Sequence, residues 1–231
     1  MLALAAAAAL ACGPVAPGAG GADPARAREE MVAAQIEARG VRDSRTLAAL
    51  RKVPRHLFVP PDLAGEAYGD GPLPIGHGQT ISQPYIVAFM TEALGLRGGE
   101  TVLEVGTGSG YQAAVLAEIA ARVFTIEIVA PLAEEARERL ARLGYGNVEV
   151  RAGDGYQGWA EKAPFDAVIV TAASPRVPEP LEQQLKDGGR LVIPVGEEYQ
   201  ELIVVTRRGT TYVESRVLPV RFVPMTGKVR Q

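Results

Sequence analysis

The 231 residues contain a single cysteine, Cys12, so no disulfide can form within the chain. Histidine is nearly as scarce: His56 and His77 are the only two, too few and too far apart to suggest a metal site. An excess of charge of one sign is also missing. Lys and Arg number 24 against 27 Asp and Glu, a formal charge of −3. That leaves no strongly basic surface to hold a nucleic-acid backbone by counterion release, so neither DNA nor RNA is expected as a partner. The body of the chain lacks an apolar run of the roughly 18 residues that would span a bilayer, and no membrane is expected for the folded part. Nor does the composition allow disorder: 47% of residues are hydrophobic and 22% charged, an ordinary globular balance.

The first 25 residues differ from the rest. Met1 to Cys12 is an unbroken apolar run, mostly alanine, and a stretch rich in Gly, Pro and Ala follows. The run's length and small residues point to export, and Ala9-Leu10-Ala11-Cys12 faintly resembles a lipoprotein cleavage site; the lack of a Lys or Arg before the run points against it. Export, lipid anchoring and a plain disordered terminus all stay open. One large domain is the expectation for residues 26–231, with residues 26–98 as a helical and loop region and 99–231 as an α/β sheet ending in a hairpin.

Within that domain the apolar spacing sets the organisation. Between Ala25 and Leu50, Met31, Val32, Ile36, Leu47 and Leu50 fall at helical intervals, with a break between Gly40 and Asp43. Residues 53–61 carry Pro54, Pro60 and Pro61 and read as a loop. Gly65 to Gln79, rich in glycine with Pro72 and Pro74, reads as irregular. Pro84 to Leu94 then shows an apolar helical face. From Glu100 onward short β-rich runs alternate with helices: strands at 101–105, 123–128, 147–151, 165–170 and 189–194, and helices at 111–121, 131–143 and 180–186. Such alternation predicts a doubly wound, mostly parallel sheet. Runs 201–207 and 211–220 flank Arg208-Gly209-Thr210 and predict an antiparallel hairpin at its edge.

The segment Glu104-Val105-Gly106-Thr107-Gly108-Ser109-Gly110-Tyr111 lies where the first parallel strand turns into a helix, the position at which open α/β sheets bind nucleotides. A dinucleotide fingerprint needs glycine at the first, third and sixth positions, and the sixth counted from Gly106 is Tyr111. The spacing therefore argues against a pyrophosphate. Glu104, just before the glycines, suits a ligand bearing sulfonium and ammonium groups. Glu127, at the end of the second strand, is placed to accept from both ribose hydroxyls or to be a solvated strand end. Asp154, in Gly153-Asp154-Gly155 after the third strand, has two readings, an acceptor for an adenine amino group or a turn residue. Together the three acids fit an adenosine-plus-methionine ligand.

Several segments in order resemble the protein-L-isoaspartate O-methyltransferase family, from about Arg26 to the C-terminus. The most specific is Gly76-His77-Gly78-Gln79-Thr80-Ile81-Ser82-Gln83-Pro84. It is supported by Val53-Pro54-Arg55-His56, the glycine loop, Ala163-Pro164-Phe165-Asp166, Leu191-Val192-Ile193-Pro194-Val195-Gly196 and Arg221-Phe222-Val223-Pro224-Met225. The resemblance implies a class I methyltransferase fold whose last strands are arranged differently from most of that class. It implies S-adenosylmethionine held by Glu104, Gly106, Thr107, Gly108, Ser109, Gly110, Glu127, Asp154 and Gly155, with no metal. It also implies an active-site hydroxyl at Ser82, substrate contacts from Thr80, Ser82, Val220 and Arg221, isoaspartyl proteins as substrates of a monomeric enzyme, and a cytoplasmic location, which the leader puts in doubt.

The chemistry agrees with that expectation. A free carboxylate is ionised at neutral pH and needs no base; what it needs is alignment and removal of water, without capture in a strong ion pair. Thr80 and Ser82, two apart in an extended segment, point to one side and can share one carboxylate. Capping of the next helix, with Pro84 in its first turn, is a second role open to Ser82. Arg221 orients substrate or is a solvated charge, and both histidines read as structural. The rival functions are a methyltransferase of the same fold acting on a small molecule or another carboxyl group, a non-catalytic cofactor-binding module, and a nicotinamide oxidoreductase disfavoured by the glycine spacing.

Overall fold

Asp23 caps helix α1 (Pro24–Glu30) with its side chain, which accepts from the Ala25 amide. The computed structural model describes residues 23–227; Cys12 and the leader lie outside them. The helix runs on through a wider turn, Met31–Ile36, and a tight one, Glu37–Arg39, to Gly40, whose φ of 100° ends it. Asp43 caps α2 (Ser44–Lys52) by accepting from the Thr46 amide at 2.7 Å. These are the two helical stretches and the break expected from the apolar spacing.

Residues 53–81 hold more structure than expected. Short 3-10 turns form at Arg55–Phe58 and Pro61–Glu66. Leu73–Gly76 (β1) and Gln79–Ile81 (β2) pair as an antiparallel hairpin in the stretch read as irregular. Prolines usually forbid a central strand, but a two-stranded ribbon is all edge and accepts Pro74. His77 and Gly78 turn the chain with φ of 51° and 70°, the left-handed pair that a tight hairpin needs. Helix α3 (Pro84–Leu94) begins with proline and ends at Gly95 in the left-handed conformation, as its sequence dictates.

The main sheet comprises β3 (Thr101–Val105), β4 (Arg122–Glu127), β5 (Val148–Ala152), β6 (Phe165–Val170), β7 (Leu185–Val195), β8 (Gln200–Arg208) and β9 (Thr211–Val220). Its order is β5-β4-β3-β6-β7-β8-β9, with the first five strands parallel and the last two antiparallel. The order turns back at β3, where β4 lies on one side and β6 on the other; this is the crevice at which such sheets bind ligands. Helices α4 (Tyr111–Ala117), α5 (Ala130–Arg142) and α6 (Glu179–Gln183) connect the strands. Helix α4 stops short of the expected Ala121, because the Ala121 and Arg122 amides turn to the Glu100 carbonyl to start β4.

Two apolar layers fix the sheet. One packs the N-terminal helices, α3 and α4 through residues such as Ile36, Leu50, Met90 and Leu116. The other gathers Phe124, Trp159, Phe165 and Leu185 on the opposite side. After β9 the chain returns across the carboxyl end of β6. The Ala173 amide donates to the Val223 carbonyl at 2.8 Å, and the Met225 amide to the Ala173 carbonyl at 2.7 Å. Residues 221–227 thus form a strap over the same edge at which β3 and β4 end.

Candidate active site

Backbone conformation shapes the crevice first. Gly106, Gly108 and Gly110 have φ of 98°, 52° and 86°, which side chains on Cβ disfavour. A Cβ on Gly106 would also lie 2.4 Å from Thr171 Oγ1. The loop is pinned from beneath: the Gly106 amide donates to the Ile126 carbonyl at 2.8 Å, and the Gly108 amide to Glu127 Oε2 at 2.8 Å. Glu127 Oε1 accepts from the Val129 amide at 2.9 Å. Its carboxylate is thereby held in the crevice wall beside Val105, Gly106, Gly108 and Gly155.

Of the residues expected around a cofactor, Gly106, Gly108, Glu127 and Gly155 line one cleft. Thr107 and Ser109 line a smaller cavity that opens beside it, together with Ser82 and Gln112. Gly110 instead sits at the N-cap of α4, against Leu140 and Ala136. Asp154 caps the short turn Gly155–Gln157 through the Tyr156 amide at 2.9 Å, with Gly227 of the strap packed against its carboxylate.

Glu104 is not brought to the cleft. It has no exposed surface and lies beneath the glycine loop, because alternation along β3 turns its side chain away from the side that Val105 presents. Its Oε2 accepts from Thr125 Oγ1 at 2.6 Å, and that hydroxyl lies 2.6 Å from Thr107 Oγ1. Its Oε1 is buried with no partner. Burial pushes its pKa up to about 8, against the Thr125 hydrogen bond and with a smaller push from Glu127. Burial thus favours the neutral acid over the anion that its place before the glycines suggests.

Thr80, Ser82, Val220 and Arg221, far apart in sequence, line one groove of about 680 Å³ with Ile86 and Phe222. Thr80 and Ser82 fall on the side of their extended segment opposite buried Ile81, as the two-residue spacing requires. Gln83, not Ser82, is the N-cap of α3, and no side chain caps it. Among the described residues neither the Thr80 nor the Ser82 hydroxyl has a side-chain hydrogen bond. Thr171, not anticipated from the sequence, lines the cleft, the groove and the smaller cavity, as does Thr80. Its place just after β6, at the carboxyl edge that holds Gly106 and Glu127, is the signal that could have found it. Strap residues Val223 to Thr226 wall the cleft; only the family-like segment 221–225 pointed to them.

The histidines are accounted for otherwise. His56 Nδ1 lies 2.7 Å from the Tyr68 hydroxyl, and burial lowers its pKa; His77 is in the hairpin turn. Arg55 is fully buried, donates from Nε to the Ala67 carbonyl at 2.7 Å and lies 4.9 Å from the centre of the Tyr111 ring. Among the described residues no group of three or more His, Cys, Asp or Glu side chains could hold a metal ion, and no helix is long and apolar enough to cross a membrane.

Known proteins are similar to this chain in sequence and in fold. The family model for protein-L-isoaspartate(D-aspartate) O-methyltransferase matches residues 26–230. A protein-L-isoaspartate O-methyltransferase 2 of Shewanella sediminis is 59% identical over 204 residues, covering 87% of this chain and 84% of its own length. A protein-L-isoaspartate O-methyltransferase of Methylorubrum extorquens is 60% identical over 205 residues, covering 88% of this chain and 90% of its own. Among solved structures, a protein-L-isoaspartate O-methyltransferase superposes with a TM-score of 0.80 at 31% identity, over 87% of this chain and 67% of that one. A Plasmodium falciparum structure assigned to the same activity, in complex with S-adenosyl-L-homocysteine, gives 0.74 at 26% identity, over 86% and 98%. With a family model spanning nearly all the described residues and relatives this similar along most of its length, the chain belongs to the protein-L-isoaspartate(D-aspartate) O-methyltransferase family.

Proposed function

We propose that this site transfers a methyl group from S-adenosylmethionine to the free carboxylate of an L-isoaspartyl residue, with Ser82 and Thr80 receiving that carboxylate. The family is one of S-adenosylmethionine-dependent protein carboxyl methyltransferases, and the residue assignment rests on the geometry. The observation that carries it is the meeting of cleft and groove at Thr80, two residues from Ser82, with both hydroxyls free to donate.

The cleft suits the cofactor. Glu127 offers a fixed carboxylate for ribose hydroxyls, Gly106 and Gly155 let the cleft floor pack against Thr171 and Val105 where a Cβ would clash, and the cavity at Thr107 and Ser109 extends the cleft toward the groove. Gly108, Gly110, Glu104 and Asp154 support this frame through backbone shape and packing. When bound, S-adenosylmethionine supplies an electrophilic methyl on a cationic sulfur. Ser82 and Thr80 hold the carboxylate by neutral donors, which orient it without the strong ion pair that would quench it. No residue has to move a proton, since the nucleophile is already ionised. Val220 and Arg221 at the end of β9 flank an extended peptide, a mode that reads backbone more than side chains and allows many sequence contexts. The methyl ester carries a better leaving group than the free carboxylate: the neighbouring backbone nitrogen attacks its carbonyl, the C–OCH3 bond breaks and methanol leaves with the amide proton, and water reopens the resulting succinimide in part to aspartate.

Residues 26–98 and 99–231 work as one unit in this reading, the first bringing Thr80 and Ser82 to the cofactor half supplied by the second. The unit acts as a monomer on damaged proteins. The family resemblance favours the cytoplasm, and fractionation of cells expressing the full chain separates this from export or anchoring through residues 1–12.

The test is transfer of labelled methyl to two synthetic peptides identical except for aspartate or isoaspartate at one position. Base-labile label on the isoaspartyl peptide alone is the expected result. Cofactor binding with label on neither would refute the substrate assignment.

A further inference from the structure

Thr80 and Thr171 are the two residues, among those described, that line the cleft, the groove and the cavity between them. A methyl passing from cofactor to carboxylate must cross the space these cavities share, so the transfer point lies between the hairpin β1/β2 and the end of β6. The two threonines meet that point with opposite polarity. The Thr80 hydroxyl has no side-chain hydrogen bond and can donate. The Thr171 hydroxyl is committed: Oγ1 lies 2.7 Å from the Gly106 carbonyl oxygen and 3.2 Å from that of Val105, and both can only accept, so its one hydrogen is used there. A hydroxyl has one hydrogen and two lone pairs. Toward the cleft, Thr171 therefore presents an acceptor.

We propose that Thr171 contacts the transferable methyl, its Oγ1 accepting weak C–H···O contacts from hydrogens polarised by the adjacent sulfonium. The inference rests on the proposed cofactor and adds a residue to its site. An acceptor here serves the reaction in two ways. It steadies the methyl beside the transfer path, and it repels a carboxylate lone pair, leaving the nucleophile to the donors Thr80 and Ser82 across the junction. A donor in its place would bind the carboxylate on the wrong side. Attack forms the O–C bond as the C–S bond breaks, the electron pair stays on sulfur, and no proton moves, so Thr171 need not change its protonation or its bond to Gly106.

The contact separates two ligands that differ by the methyl and by the positive charge it brings to sulfur. S-adenosylhomocysteine lacks both the methyl and the sulfonium charge, so loss of the acceptor weakens S-adenosylmethionine selectively. Calorimetric titration of both ligands into the full chain, Thr171→Val and Thr171→Ser tests it, with thermal melts as a check on folding. Weak C–H···O contacts are worth about 0.5–1 kcal/mol, so the affinity ratio of S-adenosylmethionine to S-adenosylhomocysteine should fall about two- to fivefold in Thr171→Val and recover in Thr171→Ser. If valine disturbs the Gly106 loop, Thr171→Ala is to be compared with serine in the same way. Equal weakening of both ligands would place the whole effect in the bond to Gly106 and overturn the proposal, as would an unchanged ratio. Binding of neither ligand by the parent chain would instead refute the cofactor reading on which it rests.

Discussion

Replacing Glu104 by Gln should make the protein more stable at alkaline pH than at acid pH, relative to the parent. The carboxyl is wholly buried, with one oxygen bonded to Thr125 and the other without a partner, and its pKa stands at about 8 where 4.5 is ordinary. The folded state therefore keeps a proton that the unfolded chain loses above pH 4.5. The stability contributed by the protonated form is fully present below that pH, declines as pH rises between 4.5 and about 8, and is lost beyond it. At 1.36 kcal/mol per pH unit that span corresponds to roughly 5 kcal/mol, an upper limit because structure relaxes around a buried charge. Glutamine has nearly the same shape, can accept from Thr125 and does not titrate. Urea unfolding of parent and Glu104→Gln at pH 5 and pH 8.5 isolates this group, since the other titrations are common to both proteins. The stability difference should move in the variant's favour by several kcal/mol across that range. Parallel curves would refute the argument and place a charged Glu104, or a water-filled site, beneath the loop.

Three further outcomes follow from the site. Ser82→Ala should lower the rate of methyl transfer about tenfold, the worth of one hydrogen bond to a charged group, while leaving S-adenosylhomocysteine affinity nearly unchanged; steady-state kinetics with calorimetry separates the two. Glu127→Gln, which alters a carboxylate accepting from the Gly108 and Val129 amides, should weaken cofactor binding by about ten- to a hundredfold, and a change in peptide KM alone would contradict the assignment. Gly106→Ala puts a Cβ 2.4 Å from Thr171 Oγ1 at a φ of 98°, so cofactor binding should fall below detection and the melting temperature should drop, both read in one thermal-shift series with and without S-adenosylhomocysteine.

Much of this architecture was legible because single-residue physics decided it. The proline and glycine at the ends of α3, the alternation of β-rich and helical runs, and the run of 211–220 specify elements found at those places. Thr80 and Ser82 come to one side because their spacing in an extended segment demands it. What could not be read depends on partners remote in sequence. The β1/β2 hairpin is hidden because Pro72, Pro74 and the surrounding glycines dominate local propensity, while pairing with β2 and packing of Ile75 and Ile81 into the core outweigh it. Glu104 looks like an anion beside a ligand until the sheet shows that it is buried below the loop. Thr171 follows a strand legible in the sequence, but its bond to Gly106 shows only once β6 lies next to β3.

The strap across β6 carries a consequence for biosynthesis. The wall formed by Val223 to Thr226 is threaded late, after every strand of the sheet has emerged from the ribosome. A chain stopped or clipped before Val223 would retain the glycine loop, Glu127 and the two donor hydroxyls, yet have a cleft open along one side. Such a product has the parts of the enzyme without an enclosed place to use them, so C-terminal damage to this repair protein should switch its activity off rather than loosen its specificity.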